Sequence, residues 1–125
     1  MIHVAIIGSR TYPHEACVRR LVRGLDRSWT VVSGGARGPD SWAVDEARAL
    51  GMAYEEHLAD WKGPIGKGAG FARNTMIAQS CDIIVAFMET ATNGTMDTVQ
   101  KAVQLGKIFY IIKDEADIDR CLSHF

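Results

Sequence analysis

The chain is predicted to fold as one three-layer α/β domain on a five-stranded, mostly parallel sheet. Three observations predict it. Short β-rich runs alternate with amphipathic segments along the chain, three of those runs are almost continuously apolar, and prolines and glycines stand where the intervening helices should start and stop. With 125 residues, 47% of them hydrophobic, the chain has enough apolar material for a real core, and a single domain is expected over 1–125.

The elements follow in order. IHVAII (2–7) is the first strand, and Cys17, Val18, Leu21, Val22 and Leu25 then recur at helical spacing. TVVS (30–33) is the second strand. Pro39 occupies the first turn of the next helix, Ala43, Ala47 and Leu50 form its apolar stripe, and Gly51 ends it. MAYEEH (52–57) is a third, more polar strand, which suits a sheet edge. DIIVAF (82–87) is the fourth, followed by a helix carrying Met96, Val99 and Val103 and closed by Gly106, and KIFYII (107–112) is the fifth, with a last helix after it. The first, fourth and fifth runs read as strands covered on both faces.

Several functional classes are disfavoured at once. A net charge of −1 does not suit a surface built to hold a polyanion, so nucleic acid is not the favoured partner, although a local basic site is compatible with it. Cys17, Cys81 and Cys121 include no CxxC pair and read as buried free thiols in a reducing compartment. No apolar run approaches membrane-spanning length, and a cytoplasmic protein is expected. His3, His14, His57 and His124 lack metal-ligand spacing, so neither a metal nor a cofactor is expected. Trp29, Trp42 and Trp61 read as core or interface residues, and Ser9 and Ser33 lack a partnered histidine nearby in sequence to make either a nucleophile.

In a parallel sheet of this kind, ligands bind beyond the carboxyl ends of the strands where strand order reverses. Three loops gather there. The first carries Gly8, Ser9 and Arg10; the second, SGGARGPD, carries Ser33, Gly34, Gly35, Arg37, Gly38 and Asp40; the third carries Asn93, Gly94, Thr95 and Thr98. Glycines allow close backbone approach, helix N-termini favour an anion, and Arg10 and Arg37 offer bidentate donors for a phosphate or carboxylate. KGPIGKGAG (62–70) reads as a lid that could bring Lys62 and Lys67 over the anion.

Taken together, GSR after strand one, VVSGGARGPDSWAVDEARALG, FARNTMIAQSCDIIVAF and NGTMDTVQKAVQLGK resemble, in that order, the SLOG superfamily, which joins DprA proteins and Lonely Guy phosphoribohydrolases. The likeness spans residues 4–112 and is nearest to the small stand-alone YspA-like group. It implies a Rossmann-like sheet holding a nucleotide or nucleotide-derived ligand (AMP, ADP-ribose or an NAD-related molecule) as sensor or carrier, in a homo-oligomer. Residue by residue, Arg73, beside Asn74 in FARNTM, matches the Lonely Guy arginine, and NGTMDT matches the PGGxGTxxE loop in part. The family's catalytic glutamate falls on Thr98, which leaves Asp97, about 100° round a helix, as the nearby carboxylate. Arg73 and Asp97 are thus the candidate catalytic pair for N-glycosidic cleavage of a nucleoside 5′-monophosphate, the alternative to ligand binding. DprA-like binding of single-stranded DNA is the second alternative.

Overall fold

A computed structural model of the chain describes residues 1–125, the side chain of Lys67 excepted. The strands are β1 (His3–Gly8), β2 (Thr30–Ser33), β3 (Tyr54–Glu56), β4 (Ile83–Phe87) and β5 (Ile108–Ile112). The helices are α1 (Glu15–Arg23), α2 (Pro39–Ala49), α3 (Ala69–Ser80), α4 (Asn93–Gln104) and α5 (Glu115–Ser123), with a 3₁₀ turn at Gly66–Gly68. All four strand pairings are parallel, in the order β3-β2-β1-β4-β5, so the sheet is wholly rather than mostly parallel. Strand order reverses between β1 and β4. A crevice must open there, because the loops leaving these two neighbours run to opposite sides of the sheet.

Side chains alternate across the strands and build two cores. On one face Val4, Ile6, Val31, Val85 and Phe87 pack against Val18 and Leu21 of α1, Ala43 and Ala47 of α2, and Ile118 of α5. On the other, Ala5, Ile7, Val32, Ile84 and Ala86 meet Ile77 and Ala78 of α3 and Val99 and Ala102 of α4. The layers are therefore α1, α2 and α5, then the sheet, then α3 and α4. Pro39 is the first residue of α2, and Gly51 and Gly106, at φ +70° and +75°, turn the chain out of α2 and α4. Cys17, Cys81 and Cys121 are buried free thiols, and burial pushes the Cys81 and Cys121 thiols up to about 11 and about 12. No helix among the described residues is long and apolar enough to cross a membrane.

β3 lies at one edge, as its polar sequence suggested. β5 does not lie where its sequence suggested. It is the other edge, with Ile108 56% and Phe109 49% exposed, and Ile111 exposed beside them. Tyr110 and Ile112 reach the core shared with α5. Phe109 and Ile111, in register with Ile84 and Ala86, point to the α3/α4 face.

Gly8 shows how tightly the crevice is built. A Cβ there would sit 2.5 Å from both the Phe87 carbonyl and the Pro39 ring, so the end of β1 fits between β4 and the start of α2 only as glycine. Gly8→Ala should lower stability by about 1–3 kcal/mol through overpacking. Urea unfolding checks it, and an unchanged midpoint would show that the crevice relaxes freely.

Candidate functional site

The loop after β1 is a turn closed by the Tyr12 amide donating to the Ser9 carbonyl at 3.0 Å, while the Ser9 amide donates to Phe87 O at 3.0 Å. Ser9 and Thr11 share a hydroxyl–hydroxyl bond of 2.9 Å. This sets Arg10 at the lip of the crevice with its side chain exposed.

The loop after β2 spends most of its polar groups on itself. The Ser33 hydroxyl donates to the Asp40 carbonyl (3.1 Å) and accepts from the Gly35 amide (3.2 Å), and the Ser41 hydroxyl donates to Ala36 O (2.7 Å). Gly35 and Gly38, at φ +70° and +88°, adopt a backbone that side chains disfavour. The Gly34 amide donates to Asp40 Oδ2 at 2.9 Å. Asp40 is therefore held in the first turn of α2, 4% exposed.

From α3, Arg73 reaches back to the same point. Its Nη1 donates to Gly34 O at 2.6 Å and its Nε to Asn74 Oδ1 at 3.0 Å. Asn74 in turn donates through Nδ2 to Asp97 Oδ2 (3.1 Å) and Gly94 O (3.3 Å), which ties α3 to the start of α4. α4 begins after Thr92 with no side-chain cap, so its leading N–H groups point outward without an intrahelical partner.

These parts enclose a cleft of about 420 Å³ lined by Ile7, Gly8, Ser9, Arg10, Thr11, Ala36, Asp40, Trp61, Gly70, Phe71, Arg73, Asn74, Ile77, Thr92, Gly94, Thr95 and Thr98. Among the described residues it holds two cations and one carboxylate. Burial lowers the Arg73 pKa, the Asp40 carboxylate raises it, and Arg10 lowers it again. Burial pushes the Asp40 carboxyl up to about 6, against the pull of the Gly34 amide and of Arg73.

The predicted residues separate into two groups. Gly8, Ser9, Arg10, Asp40, Arg73, Asn74, Gly94, Thr95 and Thr98 share the cleft, whereas Ser33, Gly34, Gly35, Gly38 and Asn93 support it from outside the lining. Arg37 is exposed on the turn and is not brought to the cleft. Asp97 is also outside the lining, its carboxylate 2.9 Å from Lys101 Nζ. Glu89 is exposed, 3.1 Å from His14 Nε2. Lys62 is exposed and outside the lining, and the side chain of Lys67 lies outside the described residues.

Trp61 and Phe71 were missed by sequence reasoning. Trp29 and Trp42 pack on the core as expected, but Trp61 is 51% exposed at the cleft rim, set against Gly70, where a Cβ would come within 2.6 Å of the indole. Phe71 beside it is 56% exposed. The available signal was a tryptophan leading straight into a glycine-rich loop.

No family model matches the chain, and no curated protein matches it in sequence. Solved structures do. DNA processing protein A (DprA) from Streptococcus pneumoniae matches 99% of the chain with a TM-score of 0.79 at 20% identity. The chain spans 56% of that protein's length. TM1055, a structural-genomics target, matches 88% of the chain (TM-score 0.73, 20% identity) with 73% of its own length covered. DprA from Helicobacter pylori, described for its single-stranded DNA binding mode, matches 98% of the chain (TM-score 0.66, 19% identity) with 72% covered. The chain therefore has the Rossmann-like fold of DprA, as the SLOG resemblance implied.

Asp40 yields a stability test. Its pKa rises on folding from 3.8 to about 6, so the folded state holds the proton more tightly. The stability due to that proton is fully present below about pH 4 and is lost as pH rises through about 6. Stability of the wild type minus that of Asp40→Asn should therefore fall by ~2–3 kcal/mol between pH 4 and pH 7. Urea unfolding at the two pH values measures it. A rising difference would mean that the carboxylate is favoured as the anion.

Proposed function

We propose that the chain binds a nucleotide-derived phosphate in the cleft at the carboxyl edge of the sheet, as a sensor or carrier. One observation carries this reading. The same cleft combines Arg10, Arg73 and the uncapped start of α4 with two half-exposed aromatic side chains, Trp61 and Phe71. The first set suits a phosphate and the second suits the face of a base. The cleft volume falls in the range of small-molecule sites, and its position at the reversal of strand order is where such sheets hold nucleotides.

The glycines support the reading by contrast. A Cβ on Gly94 would meet nothing within 4 Å, unlike one on Gly8, so the fold itself does not require glycine at this point of the cleft. A phosphate lying against the first turn of α4 would require it.

Binding is favoured over N-glycosidic cleavage. Asp97, the candidate acid or base, is engaged by Lys101 and Asn74, and the Thr98 hydroxyl donates to Gly94 O at 3.3 Å. Asp97 lies outside the cleft lining, and Thr98, which lines it, brings no carboxylate to a sugar. Single-stranded DNA is the competing occupant, since a structure of the same fold is described with it.

Calorimetric titration with AMP, ADP-ribose and a short oligodeoxynucleotide tests the reading. Arg73→Ala should weaken nucleotide affinity roughly ten- to a hundredfold, the loss of a charge-assisted hydrogen bond. Gly94→Leu should abolish binding while leaving the urea midpoint unchanged or higher, because glycine is a poor helix former. Trp61→Ala should weaken nucleotides and leave inorganic phosphate unaffected. Tight binding of the oligodeoxynucleotide with a steep salt dependence, and none of the nucleotides, would replace this reading with the DNA one.

A further inference from the structure

Asp40 is the one acidic residue in the lining of the cleft. A carboxylate buried in this way is costly unless hydrogen bonds or charges compensate it, and it would also repel a bound phosphate, so it needs a donor of its own. Three backbone amides, those of Gly34, Gly8 and Asp40 itself, point at the carboxylate, and only the Gly34 contact has a short distance, 2.9 Å. A carboxylate offers about four acceptor positions. Arg73 stands beside it but donates to the Gly34 carbonyl and Asn74 Oδ1. Among the described residues no cation forms an ion pair with it, so the group facing the cleft is a desolvated acceptor. Its complement is a neutral donor.

The place of Asp40 narrows that donor. It lies beside Arg73, which in turn feels Arg10, so it belongs to the phosphate-binding cluster, whereas the aromatic rim is made by Trp61 and Phe71. In a nucleotide, the donors a few bonds from the phosphate are the sugar hydroxyls.

We propose that Asp40 is the specificity residue of the cleft, accepting a sugar hydroxyl so that a ribose phosphate is selected over its deoxyribose counterpart and over free phosphate. This rests on the nucleotide-binding reading above. It distinguishes the chain from a DNA-binding use of the same fold, because DNA lacks the 2′-hydroxyl.

The test is calorimetric titration of the full chain with AMP, 2′-deoxy-AMP, 3′-deoxy-AMP and inorganic phosphate, for the wild type and for Asp40→Asn and Asp40→Ala. The wild type should bind AMP about ten- to a hundredfold more tightly than 2′-deoxy-AMP, the size of one hydrogen bond to a charged group. Both variants should bind AMP and 2′-deoxy-AMP with nearly equal affinity, whatever the change in each, a loss of discrimination that a purely structural role for Asp40 would not produce. Equal wild-type affinity for AMP and 2′-deoxy-AMP overturns the inference and leaves nucleotide binding standing. Absence of wild-type binding to every nucleotide overturns both. If the variants fail to fold, the wild-type analogue series still decides.

Discussion

The backbone of Gly34 is gripped from both sides: its amide donates to Asp40 at 2.9 Å and its carbonyl accepts from Arg73 at 2.6 Å. The first bond ties the end of β2 to the first turn of α2, and the second ties it to α3 on the opposite face of the sheet. Space there is short, since a Cβ on Gly34 would come within 2.7 Å of Arg73 Nη1 and 3.0 Å of Asp40 Oδ2. Remove this clasp and the two helices that flank the cleft lose their common reference. The arrangement also explains why a carboxylate is tolerated in a buried place: the amides around it replace part of its lost hydration.

From that clasp the polar connections continue across the site. Arg73 hands on to Asn74, Asn74 to Gly94 and Asp97, and Asp97 to Lys101, so the start of α4 is held by side chains from α3 rather than by a cap of its own. An uncapped helix start leaves N–H groups for a ligand. The charges suit the same use, with an exposed Arg10 at the lip, a half-buried Arg73 behind it and one buried carboxylate at the floor.

The outer edge at β5 obeys a different constraint. A five-residue apolar strand would suit a central position, yet the order β3-β2-β1-β4-β5 leaves it with one neighbour. Its inward face is covered by α5, while Phe109 and Ile111 on the other face stay exposed. A row of unpaired backbone groups bearing apolar side chains is unusual for an edge, which ordinarily carries charge or proline.

The sequence by itself determined the elements and their order. Apolar runs, period-3.6 patterns, Pro39 at a helix start, and Gly51 and Gly106 at helix ends are local signals, so the strands, the start of α2 and the ends of α2 and α4 were legible to within a residue or two, while α3 and α5 were given no bounds. It also determined that three loops meet at one edge of the sheet, because a parallel sheet allows no other placement. Arg73 and Asn74 were legible only through resemblance, since nothing local marks a mid-helix arginine as facing a cleft. Tertiary structure decided the rest: that Arg10 lines the cleft and Arg37 does not, that Asp40 rather than Asp97 is its carboxylate, that Trp61 is a rim residue, and that β5 is an edge. The physical reason is the same in each case. Pattern along the chain records which way a side chain points relative to its own element, but which side chains come to share one space depends on strand order and on the course of loops between distant segments.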